Sequence, residues 1–406
     1  MTSPLSPVYS SSRLVTALVL FSVLATGIGQ SMTFALLAPL GREVGLKEIQ
    51  IGLIITSSSL VFTLTSPLWG RTCDHWGRKP VLLIGQFGYV LGSLLFATVF
   101  LFGLKGALSG LLLYLLAISS RVLMASLISA APSAASAYIA DTTTDKQRVV
   151  AMGRLGAART LGTILGPAMG GALAAINLLA PLYIAAAGAL ISSVLLALAM
   201  KEPSRSAVQR ARQPRLRLFD RRYFPFVLVG VGTFLSFSMV SQTIGFYFQD
   251  RFVLDGKATA QAIGMGMMVS ASMSLFAQSV LVRRSHMTPR RLIKVGLPIL
   301  LVGYPSLLLA GSVPVLVGLM GILGLGLGLV APGFTAGASL SVGPNEQGAV
   351  GGLVSACPAA GFVAGPLIGT SLYQLNPAYP SLCACLLLVP LTLYAWRLDR
   401  RPQSNF

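Results

Sequence analysis

Gly70-Arg71-Thr72-Cys73-Asp74-His75-Trp76-Gly77-Arg78-Lys79-Pro80 lies between two apolar runs, residues 50–69 and 81–102. Each run has about the ~20 residues that a helix needs to cross hydrocarbon. The stretch between them therefore reads as a short turn joining two spanning helices, with glycines loosening its backbone. One acid, Asp74, stands there among Arg71, His75, Arg78 and Lys79. Working outward in both directions, similar runs recur at 14–40, 111–140, 149–176, 178–200, 223–248, 261–282, 292–309, 313–340, 348–375 and 378–396. A helix satisfies its own backbone in lipid, so the expected fold class is all-α integral membrane, with twelve transmembrane helices.

Composition supports lipid as the solvent. Of 406 residues, 54% are hydrophobic and 10% charged, and the mean hydropathy is +0.77. An ordinary soluble domain carries about 25% charged residues. The first run is longer than a signal-peptide core and nothing charged precedes Arg13, so it reads as the first spanning helix. Among the four cysteines, Cys73 falls in the expected turn, and Cys357, Cys383 and Cys385 fall in apolar runs without zinc-type spacing. No metal site and no cofactor is expected.

The net charge of +19 is distributed unevenly. Arg13, Arg71, Arg78, Lys79, Lys146, Arg148, the basic stretch from Lys201 to Arg222, Arg283–Lys294 and Arg397–Arg401 all fall on one side of the expected topology. Only Arg42, Lys47, Lys105, Arg251 and Lys257 fall on the other. Cytoplasmic loops collect Lys and Arg. Both termini and the 201–222 linker are thus expected in the cytoplasm, the basic excess is topological, and no nucleic-acid partner is called for. The linker divides the chain into a first half, residues 1–200, and a second half, residues 223–406.

The halves repeat each other. Gly162-x-x-x-Gly166-Pro167-x-x-Gly170-Gly171 returns as Gly361-x-x-x-Gly365-Pro366-x-x-Gly369, 199 positions later, and Gln30-Ser31-Met32-Thr33-Phe34 is echoed by Gln242-Thr243-Ile244-Gly245-Phe246. Duplications of this kind place a binding site between halves near the bilayer midplane. Glycines four apart make a smooth stripe for close helix packing, and the proline removes one backbone hydrogen bond. Gly324-x-Gly326-x-Gly328 lies inside an apolar run with no strand before it, so it is a packing feature rather than a nucleotide loop.

The 70–80 stretch closely resembles the loop signature of the major facilitator superfamily, Gly-x-x-x-Asp-x-x-Gly-Arg-Lys. It departs at Thr72 and His75, where that family usually has an aliphatic residue and Arg. The resemblance implies that Asp74 holds the outward-facing state through charge and helix-end contacts, with Gly70, Gly77, Arg78 and Lys79 completing the gating turn. The Gly162–Gly171 stretch looks like the motif of the antiporter branch, with Gly365 and Pro366 as its second copy, and so implies export. Arg121-Val122-Leu123-Met124-Ala125 keeps the Arg of a further family pattern but loses its Gln and Gly. Ala140-Asp141 with Arg148 resembles the loop leading into helix five.

All eleven acids fall in loops or at helix ends. Three cations lie inside helices: Arg121, Arg159 and Arg154, the last near enough to an end to reach water. An Arg at the bilayer centre costs ~2.5–3.5 kcal/mol on the lenient scale. With no buried acid to pair with, Arg121 and Arg159 are expected to face a wet cavity, carbonyls or an anionic ligand. The expected lining adds Gln30, Gln86, Tyr89, Ser126, Gln242, Tyr247 and Gln278. A guanidinium suits carboxylates and phosphates. The expected function is therefore secondary active export of an anionic small metabolite, in the manner of a siderophore exporter, in a bacterial inner membrane. The family implies protons as the coupled partner, and a monomer is expected. Broad multidrug/proton antiport and organic-anion import remain as alternatives. An enzyme is not expected, because no catalytic constellation lies within the bilayer.

Overall fold

The computed structural model describes residues 13–202, 220–285, 287–343 and 346–397, and the regular structure among them is helical. In the first half α1 spans Arg13–Glu43, α2 Glu48–Trp76, α3 Arg78–Leu104, α4 Gly110–Asp141, α5 Asp145–Ala174 and α6 Ala180–Ala199. In the second, α7 spans Phe224–Phe252, α8 Gly256–Val282, α9 Pro289–Leu309, α10 Val313–Leu340, α11 Gln347–Leu375 and α12 Tyr379–Arg397. Each of the twelve expected helices is present. Among the described residues, eleven are long and apolar enough to cross a membrane, α5 being the exception. Its glycines and Arg159 dilute the apolar part of that helix. The chain is a multi-pass membrane protein. Arg205, Arg210, Arg212, Arg215 and Arg217 of the linker, together with His286, Asp399, Arg400 and Arg401, lie outside the described residues.

Three elements differ from expectation. The 70–80 stretch is not a loop: α2 runs on through Trp76, and α3 starts at Arg78. Nothing between Arg71 and Trp76 breaks a helix, so Cys73 is a helical residue, 1% exposed, and His75 sits in the last helical turn. The whole reversal is made at Gly77, whose φ of +103° suits glycine. Pro80 falls in the first turn of α3, where its missing N–H has no intrahelical partner to lose. Secondly, α4 is broken at Ser129 into Gly110–Ile128 and Ala130–Asp141. Pro132 cannot donate to the Ile128 carbonyl and crowds it, which accounts for the break. Thirdly, α8 ends in a π-helical stretch, Ala277–Val282, that continues as Arg283–Ser285.

The described chain separates into two compact units, one of residues 13–46 and 57–202, the other of residues 47–56 and 220–397. The first turns of α2 thus belong with the second unit. There Gly52 lies against Thr370 and the Pro366 carbonyl of α11.

Within the first unit the glycine stripe of α5 packs on α1. A Cβ at Gly162 would stand 2.9 Å from the Leu24 carbonyl, and one at Gly166 would overlap the Ser31 hydroxyl. Ser31 donates across the seam to the Gly162 carbonyl at 3.0 Å. Gly170 meets Met32 only at ordinary contact distance. Within the second unit, Gly361, Gly365 and Gly369 of α11 meet Phe234, Ser238 and Met239 of α7 in the same way. Matching the facing residues pairs Ser31 with Ser238 and Met32 with Met239, a spacing of 207. Gln30 and Gln242 are 212 apart, so the glutamine echo is out of register with the packing. In α10, Gly324 and Gly328 let the Ser270 and Ser274 backbone of α8 approach, and Gly326 faces Leu300 and the Gly296 carbonyl of α9. That triplet is a packing feature.

Candidate functional site

The turn at Gly77 organises an ion cluster within the first unit. The Arg78 side chain donates through Nε to Asp141 Oδ2 at 2.6 Å. Its Nη1 donates to the Cys73 carbonyl at 2.7 Å and to Asp74 Oδ1 at 3.1 Å. One guanidinium therefore ties the end of α2 to the end of α4. Arg148 adds a bond to the Ala140 carbonyl at 3.2 Å. Glu202, just past α6, accepts from the backbone N–H groups of Arg78 and Lys79 at 2.6 and 2.8 Å. Gly70 lies in α2 with open space around it, so it has no close approach to protect. No motif in the sequence marks Glu202 for this role. The usable signal is that a glycine N-cap offers no side-chain acceptor to the free N–H groups that follow it.

Deeper in the same unit, Arg121 of α4 is 3% exposed. The guanidinium faces the rings of Phe34 and Phe96, with centroids at 5.2 and 5.7 Å. Its Nη1 lies 3.8 Å from the Met124 sulfur, and its Nε has no hydrogen-bond partner. Aromatic faces, whose quadrupole attracts cations, thus lie against the guanidinium. Tyr89 of α3 is fully buried beside Arg121, Thr33 and Ser93, with its hydroxyl against Gly29. Gln86, one turn earlier on that helix, is 0% exposed, and neither of its amide atoms has a hydrogen-bond partner among the described residues.

The remaining candidates are more scattered. Arg159 of α5 is exposed and makes no hydrogen bond or ion pair among the described residues. Nothing joins it to Arg121. Gln30 is half-buried. The Ser126 hydroxyl returns to the Leu123 carbonyl of its own helix, while its carbonyl accepts from Trp69 Nε1 at 2.6 Å. In the second unit Gln242 is buried, Tyr247 is half-buried, and Gln278 is exposed in the π stretch, donating to Ser274 Oγ at 3.2 Å. Pro167 and Gly171 are buried on the seam helix α5, and Gly365 and Pro366 lie in the α11 counterpart.

Among the described residues, twelve long helices in two units, a glycine–proline seam repeated in each and an Asp–Arg cluster at the α2–α3 turn now stand together. The model of the Major Facilitator Superfamily matches residues 19–366. The chain belongs to that superfamily. It is similar to multidrug resistance protein 1 of Bacillus subtilis, 29% identical over 375 residues that cover 88% of this chain and 89% of the relative. It is also similar to the class G tetracycline resistance protein of Vibrio anguillarum, 26% identical and covering 89% and 91% of the two chains. Among solved structures, a bacterial homologue of the iron transporter ferroportin superposes with a TM-score of 0.74 at 18% identity, covering 96% of this chain and 100% of that one. This major facilitator protein is a transporter and not an enzyme.

Proposed function

We propose that this transporter exports amphipathic, drug-like organic molecules from a bacterial cytoplasm, in exchange for protons moving inward across the inner membrane. The observation that carries the reading is the enclosure of Arg121: the most deeply buried cation among the described residues faces Phe34 and Phe96. A guanidinium so placed is part of an aromatic core rather than a free clamp for a carboxylate. Relatives that match most of both chains carry the names multidrug and tetracycline resistance protein. Export is supported by the α1–α5 seam, where Gly162 and Gly166 close on Leu24, Gly27 and Ser31 as the resemblance to the antiporter branch implies. Expression in a strain lacking its own drug exporters tests the reading. Cells should accumulate less tetracycline or ethidium than the control, and a protonophore should abolish the difference. Equal accumulation of both compounds with and without the protein would overturn it.

A second reading, export of an anionic metabolite such as a carboxylate siderophore, is favoured by Arg159. That side chain is an exposed guanidinium on α5 with no acid bound to it among the described residues. The two readings part at Arg159→Gln, which should silence an anion exporter and spare a drug exporter.

A further inference from the structure

The start of α3 is held by a residue from far along the chain. Gly77, the N-cap, makes no side-chain cap hydrogen bond. Glu202 supplies the acceptors instead, one carboxylate oxygen to the Arg78 N–H at 2.6 Å and the other to the Lys79 N–H at 2.8 Å. The exchange is reciprocal, since Lys79 Nζ donates to the Ala197 carbonyl, at the end of α6, at 2.7 Å. An anion at a helix N-terminus and a cation at a C-terminus each complement the local helix charge. Charge-assisted bonds of this kind are about twice as strong as neutral ones. The ends of α3 and α6 are thereby stapled together.

The staple also explains why position 77 has no side chain. Besides its φ of +103°, a Cβ there would stand 2.6 Å from a Glu202 oxygen. The next residue is Arg78, whose guanidinium joins Asp141, Asp74 and the Cys73 carbonyl. Backbone and side chain of Arg78 are thus fixed by different carboxylates. We propose that Glu202 is a positioning residue of the transport cycle. By holding the first N–H groups of α3, it sets Arg78 so that one guanidinium spans the ends of α2 and α4. The proposal rests on the chain being a transporter, and its test has one arm that needs no substrate.

The test uses the full-length protein in proteoliposomes, with Cys357, Cys383 and Cys385 changed to Ala so that Cys73 is the one thiol. Glu202→Gln should lower the maximal rate of tetracycline transport about tenfold with KM unchanged, the scale of one charge-assisted bond. It should also speed maleimide labelling of Cys73, which is 1% exposed behind Arg78. Glu202→Asp should retain most of both wild-type values. Lys79→Met, which removes only the reciprocal bond, should shift both readouts the same way and carries the test if Glu202→Gln does not reach the membrane. Wild-type Cys73 labelling in Glu202→Gln, or a change in KM alone, would overturn the proposal. A wild-type protein that fails to move tetracycline would count against the substrate reading while the labelling arm still decides the role of Glu202.

Discussion

Arg121 shows what a single residue discloses and what it hides. Its charge inside an apolar run marks it as unusual from sequence alone. Phe34 and Phe96, which meet it from α1 and α3, carry no signal, because helix rotation and depth are set by packing. Desolvated cation–π contacts reach ~2 kcal/mol or more, so Phe34→Leu should destabilise the first unit by about 1–3 kcal/mol, allowing for lost packing as well. A lowered midpoint of thermal unfolding in detergent is the check, and a midpoint equal to wild type would refute it. Gln86 leads to the opposite expectation. It is buried with both amide atoms unpaired, and replacing an unpaired polar group by an apolar one of similar shape is neutral or stabilising. Gln86→Leu should therefore unfold at or above the wild-type temperature, whereas a fall of several degrees would show that the amide has a partner in the membrane.

Among the elements, the helix count and the glycine–proline seam were legible, since hydropathy and small-residue spacing are local. The seam allows a graded prediction. A methyl at Gly166 would collide with Ser31, whereas one at Gly170 would meet Met32 at 3.4–3.6 Å. Gly166→Ala should cost about 1–3 kcal/mol, the usual range for overpacking, and Gly170→Ala should cost little. Equal unfolding temperatures for the two variants would contradict the seam geometry. The 70–80 stretch reads as a loop in sequence because its charges suggest solvent. A helix tolerates charge where it leaves the membrane, and only Gly77 turns the chain. The glutamine echo failed for a related reason: similar letters at a fixed offset do not establish register, and the Ser31–Ser238 pairing against the facing glycines does.

For the whole molecule, twelve helices and two units follow from hydropathy and from the internal repeat, while long-range ties such as Glu202 to α3 do not. A tie of the same kind occurs in the second unit. Arg222 joins Asp220 at 2.8 Å and Glu346 at 2.9 Å. Its hydrogen bonds hold the Glu346 carboxyl below the ordinary carboxylate range. A depressed carboxylate stabilises the fold above its unfolded value, about pH 4.3, and that contribution is lost as pH falls through the folded value. The stability gap between wild type and Glu346→Gln should therefore be constant near neutrality and close in acid; a gap independent of pH would contradict the pairing. The central claim, drug-like efflux rather than anion export, is tested most directly by uptake into inverted membrane vesicles under an imposed pH gradient. Wild type and Arg159→Gln would be compared on tetracycline and on a citrate-based siderophore. Proton-driven tetracycline uptake that survives Arg159→Gln, with the siderophore left outside, is the predicted result. Siderophore uptake lost in Arg159→Gln, with tetracycline ignored, would contradict it.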